Sequence, residues 1–362
     1  MSKEKLLILL SIFFFLGTTI AHAQDSTKVR RNRLLGLPIA FFSPETLWGG
    51  GVAGIYSFRL PNTADDSRPS QIQFGLTYTQ ERQVLSYLPF EIRIKDQEWL
   101  FFGELGYYRY FYQFWGVGNT LPDANEETYS VNFPRLRLNV LRKVLPNTFL
   151  GLRYWGDDYQ VGEVAEGGLL ERGDIPGAGG GVVSGFGALA IYDNRDHIFY
   201  PSKGWLIEGL ILQNGPAFGS PFRFTRARLD AARYFPVWRD HILALNFLGE
   251  FVYGDAPFQE LALYGGTKKA RGFYQGRYRD QKMLLLQAAY RFPIYWRFRG
   301  EVFASYGGVA PRLKELVIRE FHFNYGAGLR FALNPEEKIY VRADVGIGNG
   351  QPNFYLTIGE AF

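Results

Sequence analysis

Apolar and polar residues alternate along most of this chain with a period of two, the mark of strands that present two different faces. Phe321, Phe323, Tyr325, Ala327, Leu329, Phe331 and Leu333 are apolar, with His322, Asn324, Gly326, Gly328 and Arg330 between them. The next segment repeats the pattern, setting Ile339, Val341, Ala343, Val345 and Ile347 against Tyr340, Arg342, Asp344, Gly346 and Gly348. Extended along the chain, the alternation predicts strands over 34–43, 48–59, 70–80, 84–94, 97–108, 127–143, 147–160 and 180–194. It continues over 202–214, 221–236, 239–253, 281–293, 297–308, 319–333, 336–347 and 352–362.

That makes an even count, and most runs reach the roughly 9–11 residues that a tilted membrane strand requires. The connections alternate in length as well. Long ones cover 109–126, 161–179 and 254–280, and tight ones include Val144–Pro146, Val237–Trp238 and Asn334–Pro335. Long loops on one rim and short turns on the other are the asymmetry of an outer-membrane barrel, whereas a soluble sandwich has no reason for it. The expected fold is all-β, a 16-stranded antiparallel transmembrane β-barrel with a long sixth extracellular loop. Leu329, Phe331, Val341 and Val345 should then meet lipid, and Asn324, Arg330, Arg342 and Asp344 should line the lumen.

The N-terminus changes the picture in one respect. Lys3 and Lys5 precede an apolar run from Leu6 to Leu16, and Ala21-His22-Ala23 stands before Gln24, which together describe a cleavable secretory signal. The expected organisation is a signal peptide at 1–23, a short periplasmic tail at 24–33, and a barrel over 34–362. Beyond the signal, no stretch approaches the 18 uncharged apolar residues of a membrane helix. The chain has no cysteine, so disulfides, iron–sulfur clusters and thiolate metal sites are excluded. Forty basic residues against 35 acidic ones are too mixed to indicate a nucleic-acid partner.

Enzymatic motifs are missing. No G-x-S-x-G nucleophile elbow occurs, and the four histidines have no metal-ligand spacing. The glycines at 177–181 have no Lys-Ser/Thr after them, so they do not form a phosphate loop. No catalytic residue, metal or cofactor is expected.

Several stretches carry a resemblance. Tyr192-Asp193-Asn194-Arg195-Asp196, followed by Phe199-Tyr200-Pro201-Ser202-Lys203-Gly204, resembles the "D-x-R-D…F/Y-P-S-K-G" turn of the bacterial surface antigen family. That family comprises the barrels of BamA-like assembly factors and two-partner-secretion transporters. Gly265-Gly266 through Ala270-Arg271-Gly272-Phe273 resembles its sixth-loop "V-R-G-F/Y" motif. Tyr290-Arg291-Phe292-Pro293-Ile294 and Phe114-Trp115-Gly116-Val117-Gly118-Asn119 resemble two further segments, and the last residues, ending on Phe362, resemble a barrel-targeting terminal signal. The resemblance covers about residues 34–362.

It implies a non-enzymatic integral outer-membrane barrel related to outer-membrane protein assembly and translocation factors. Its implied partners are outer-membrane lipid and other outer-membrane proteins or lipoproteins. The alternative is an outer-membrane channel or a surface-exposed binding protein. Two departures stand out. Family members usually carry periplasmic POTRA modules before the barrel, and a tail of 24–33 cannot hold one. The carboxylates that usually meet the loop arginine are replaced by Ala289 and Ser305. A guanidinium confined in a lumen still needs an acceptor, and parity offers Asp344 and, four residues before Ser305, Glu301. The expectation is inward folding of the loop, onto Asp344 ahead of Glu301; the alternative leaves Arg271 in water outside. Pro38 stands mid-strand in the first strand, either as a kink or as a sign of a weak edge where the barrel closes.

Overall fold

The computed structural model describes residues 32–60, 69–95 and 97–362. The expected export signal at 1–23, and the tail up to residue 31, lie outside the described residues. The first nine strands are β1 (Asn32–Ser43), β2 (Leu47–Phe58), β3 (Ser70–Thr79), β4 (Val84–Ile94), β5 (Trp99–Phe114), β6 (Glu127–Leu145), β7 (Thr148–Val161), β8 (Gly181–Asp193) and β9 (Gly204–Asn214). They are followed by β10 (Phe224–Trp238), β11 (His241–Gly254), β12 (Ala262–Tyr264), β13 (Tyr278–Asp280), β14 (Lys282–Tyr295), β15 (Phe298–Ala310), β16 (His322–Asn334), β17 (Ile339–Gly348) and β18 (Gln351–Ile358). Sixteen of these close an antiparallel barrel, and β12 and β13 form a separate two-stranded hairpin. That hairpin lies within the sixth extracellular connection, between β11 and β14, which pair directly in the wall. Strands of three residues carry no readable period, which is why the alternation does not reveal them.

The faces follow the alternation. Leu329 and Val345 are exposed on the outer wall, while Asn324, Arg330, Arg342 and Asp344 are buried inside. Other exposed apolar residues, among them Leu76, Leu105, Leu152, Ile211, Leu286 and Val302, complete a lipid-facing belt. An apolar band outside and a polar interior are what a bilayer selects from a closed sheet.

Several boundaries differ from the sequence reading by a few residues, and three of them have a local cause or consequence. β1 begins at Asn32, inside the expected tail. β5 runs on to Phe114 because its upper half, Tyr108, Tyr110 and Tyr112, stacks rung on rung, with ring centres 4.7–6.1 Å apart. β18 stops at Ile358 rather than Phe362. Gly359 has a φ of +84° and its N–H reaches the Tyr340 carbonyl at 2.9 Å, so the last residues leave the sheet. A positive φ is tolerated there because glycine has no Cβ.

The barrel closes thinly. β1 pairs with β2 along its whole length, from Asn32 with Phe58 to Ser43 with Leu47, but its register with β18 is the single pair Phe42 and Leu356. Pro38 lies below that contact, opposite Val52 of β2.

The two faces are testable because the chain has no native cysteine. Leu329→Cys and Val345→Cys should react with a membrane-confined thiol reagent, and Arg330→Cys and Asp344→Cys should not. The opposite pattern would mean a register off by one residue. Leu329→Arg, near the middle of its strand, should lower unfolding stability in lipid by about 2–4 kcal/mol.

Candidate functional site

The sixth connection folds into the lumen and ends on a lattice of charges. One Arg271 Nη lies 2.5 Å from an Asp344 carboxylate oxygen, and the other lies 2.9 Å from Glu301. The sequence reading treated these two acids as alternatives; the structure uses both. The guanidinium also stacks on Phe303, with its central carbon 3.5 Å from the ring centre. Asp344 additionally accepts from Arg330 at 2.5 Å and from Arg342 at 3.1 Å. Glu301 additionally accepts from Arg330 at 2.8 Å and from Arg291 at 2.9 Å.

A third carboxylate, Glu360, lies 3.3 Å from Arg330 and 3.6 Å from Arg291. The cluster therefore sets Arg271, Arg291, Arg330 and Arg342 against Glu301, Asp344 and Glu360, and all of these are buried or nearly so. Arg291 also donates to the Phe362 carbonyl at 2.9 Å. Phe362, expected to end the last strand, instead packs in the lumen near Tyr234, Ala289 and Phe303. The reason is local: Gly359 turns the chain inward, and the carboxylate of Glu360 is drawn to two guanidiniums.

Ala289 and Ser305 are buried and neutral. Ser305 shares hydrogen bonds with Gln287 and Asn324. The acid has thus moved along β15 from position 305 to 301, and a second acid is supplied by β17. Parity along the strands puts Arg330 and Arg342 in the lumen. Arg291 and Glu360 went unassigned, Arg291 although the same parity turns it inward, and Glu360 because on the expected strand 352–362 it shares the parity of the outward-facing Phe354 and Ile358.

The backbone of the loop is held as closely as its charge. Asn324 donates to the Arg271 carbonyl at 2.7 Å, and Asn353 to the Gly272 carbonyl at 2.6 Å. The Gly272 N–H donates to the Tyr355 hydroxyl at 2.8 Å. Gly272 has a φ of +121°, and a Cβ there would meet the Gly348 nitrogen at 2.9 Å. A Cβ on Gly346 would meet Arg271 backbone atoms at 2.6 Å. The lumen face of β17 is glycine where the loop tip lies because main chain touches main chain there.

Phe273 completes the motif by packing edge-on against Tyr264 and Tyr278 of the loop hairpin, with ring centres 5.6 and 5.7 Å apart. His322 stacks flat on Tyr278 at 3.8 Å, and its Nε2 lies 2.8 Å from the Asn119 carbonyl. The segment from Phe114 to Asn119 docks on this loop too: the Gly118 N–H donates to the Arg279 carbonyl at 2.8 Å. Gln275 ties the loop to the first hairpin, its N–H 2.9 Å from Glu45. Burial raises the Glu45 carboxyl above its ordinary range, partly offset by hydrogen bonds from Ser43 and the Gln275 N–H.

The turn motif between β8 and β9 folds on itself. Arg195 pairs with Asp193 at 2.8 Å, and Asp196 accepts from the Ser202 N–H at 2.8 Å and the Lys203 N–H at 3.2 Å. Burial pushes the Asp196 carboxyl up, but the Ser202 and Lys203 donors outweigh it and leave it below its ordinary range. Gly204 has a φ of +105°, and a Cβ there would strike the Asn194 carbonyl at 2.5 Å. Next to Pro201, itself buried, Tyr200 is buried against Tyr340 at 4.6 Å, with Arg291 over its face at 5.4 Å. The turn and the loop anchor thus share one arginine.

Residues 184–362 match the family model of the Omp85 superfamily domain. In solved structures the chain is similar to BamA from Haemophilus ducreyi in a form lacking POTRA domains 1–3, at 12% identity and a TM-score of 0.60, covering 91% of this chain and 70% of that one. It is also similar to CdiB from Acinetobacter baumannii, at 13% identity and a TM-score of 0.58, over 91% of this chain and 60% of the other. CdiB from Escherichia coli gives 9% identity and a TM-score of 0.59, over 91% and 62%. No curated protein sequence matches the chain. At these identities the structures share the fold.

Removing Arg271 leaves three arginines facing three carboxylates, whereas removing Glu301 or Asp344 leaves four facing two. Glu301→Ala and Asp344→Ala should therefore cost about 3–5 kcal/mol of unfolding stability, and Arg271→Ala should cost less than either. Equilibrium unfolding of the reconstituted barrel measures the order; a larger loss for Arg271→Ala would show that the cluster is not held by its acids. Double-mutant cycles of Arg271→Ala with each acid should give coupling of about 0.5–3 kcal/mol. Gly346→Leu keeps every charge and should still release the loop, read as new protease cleavage between residues 265 and 277.

Proposed function

We propose that this Omp85-superfamily barrel acts without enzymatic chemistry in the assembly or translocation of proteins at the bacterial outer membrane. The observation that carries the reading is the contrast between the two sides of the closure. β14 to β18 are cross-braced from inside by the loop lattice, while β1 meets β18 through one register pair. A wall that is rigid up to its last strand and weakly joined beyond it can part at that joint without losing the rest of the sheet. Opening would expose the unpaired edges of β1 and β18 as a template for a strand of a client chain. The loop in the lumen also argues against a wide channel, because it fills the space that solute would need.

Phe42→Cys with Leu356→Cys would place a disulfide across the seam, and no native thiol competes. In vesicles, the unlocked barrel should speed the insertion of an unfolded reporter barrel, and the oxidised double variant should not, with recovery after reduction. Equal rates for the locked and unlocked forms would overturn the reading. Planar-bilayer recording should show small conductance that rises when Arg271→Ala frees the loop; a large steady conductance in the unaltered barrel would favour a channel instead.

A further inference from the structure

The outer wall carries a second arginine pattern, at the periplasmic rim, which the loop anchor does not involve. Arg233 points outward from β10 between Trp205 of β9 and Phe235, its guanidinium carbon 4.9 Å from each ring centre. In the tight turn after β10, Arg239 lies 4.9 Å over Trp238, and in the turn after β14, Arg297 lies 4.9 Å over Trp296. Trp238 and Trp296 are 61% and 72% exposed, each resting one side on the wall, against His241 and Phe331. Elsewhere on this rim Arg142 also stacks on a tryptophan, Trp99, but it is neutralised by Glu98 at 3.0 Å. Among the described residues Arg233, Arg239 and Arg297 have no carboxylate within ion-pair reach, and Arg233 Nε has no hydrogen-bond partner. From β9 to β15 the rim therefore carries an arc of three arginines stacked on aromatic rings and free of ion pairs, although Asp240 follows Arg239 in its turn.

Above Arg233 the lipid-facing wall is dented. Ala188, Ala190 and Gly209 floor a groove of about 520 Å³, walled by Ile211 and Leu229, which are exposed. Nothing lies within 4 Å of a Cβ built on Gly209. Register links groove and arginine: Arg233 is opposite Trp205, and Leu229 is opposite Gly209. Four residues along a strand span about 13 Å, the reach from a headgroup phosphate to the middle of its acyl chain.

We propose that this arc is a binding surface for anionic phospholipid of the inner, periplasm-facing leaflet. The guanidiniums hold the phosphate, the indoles sit at glycerol level, and the groove takes an acyl chain. Arginine suits the task because its planar fork pairs phosphate oxygens bidentately while its face stacks on indole. Tryptophan at the membrane–water boundary fixes the depth at which this happens.

The test titrates the purified barrel with phosphatidylglycerol and, separately, phosphatidylcholine, and counts retained lipids by native mass spectrometry. The unaltered barrel should prefer phosphatidylglycerol. The triple variant Arg233→Gln, Arg239→Gln, Arg297→Gln should lose that preference, on the order of fivefold per arginine, whereas lysine at the same positions, which keeps the charge without the fork, should retain only part of it. Gly209→Leu should weaken retention of both lipids, as the groove requires. Heat-modifiable gel migration identifies folded barrels; should the triple variant not fold, Arg239→Gln alone, altered in a turn, carries the comparison. Equal binding of the two lipids by the unaltered barrel, an unchanged triple variant, or an equal loss from Arg142→Gln would each overturn the proposal. So would displacement of phosphatidylglycerol by lipopolysaccharide, which would assign the arc to the other leaflet.

Discussion

Arg271 carries a charge from an extracellular loop into the barrel, and much of the lumen is arranged around finding it an acceptor. A guanidinium removed from water is costly unless it is paired and hydrogen-bonded. Glu301 and Asp344 satisfy it, but each also serves other arginines, so no bond in the cluster is independent of the rest. Buried ion pairs are weak evidence for net stability, and their better-attested role is to specify one arrangement over others. Here that arrangement is the position of the loop: any shift of its tip would take Arg271 away from both Glu301 and Asp344 and leave its guanidinium without an acceptor.

The charge sets where the loop stops, and the glycines permit it to arrive. Gly346 and Gly348 strip the inner wall of β17 to main chain, and Gly272 takes a left-handed conformation against it. Side-chain amides from β16 and β18 then pair the loop carbonyls. Asn119, Glu45 and the Tyr200 turn rest on this assembly from three directions. The consequence is mechanical. Strands β14 to β18 are tied together from inside as well as along their edges, and the one-pair seam to β1 is where the wall is weakest.

Arginine does two kinds of work in this barrel, sorted by solvent. Inside, the guanidiniums of the loop anchor are matched to carboxylates, while Arg279 is held by the Gly276 carbonyl and the Phe114 ring. At the periplasmic rim Arg233, Arg239 and Arg297 are matched to indole faces instead. The same residue type thus fixes the loop on one surface of the sheet and meets the membrane on the other.

The sheet was legible in the order of residues alone. A period of two is local, so strand number, wall orientation and the lumen positions of Asn324, Arg330, Arg342 and Asp344 could be read from neighbouring residues alone. The resemblance around Arg271 and Asp193 marked the loop and the turn for the same reason, since each is one continuous stretch. Which distant residues meet is settled by the closed fold. Period two says that Arg291 faces inward but not that it would sit between Glu301, Tyr200 and the carbonyl of Phe362. It could not show that Glu360 leaves the sheet, because one glycine, Gly359, ends the period there. Nor could it choose between Glu301 and Asp344: strands β15 and β17 flank β16, and only the curvature of a closed wall brings both acids onto one guanidinium.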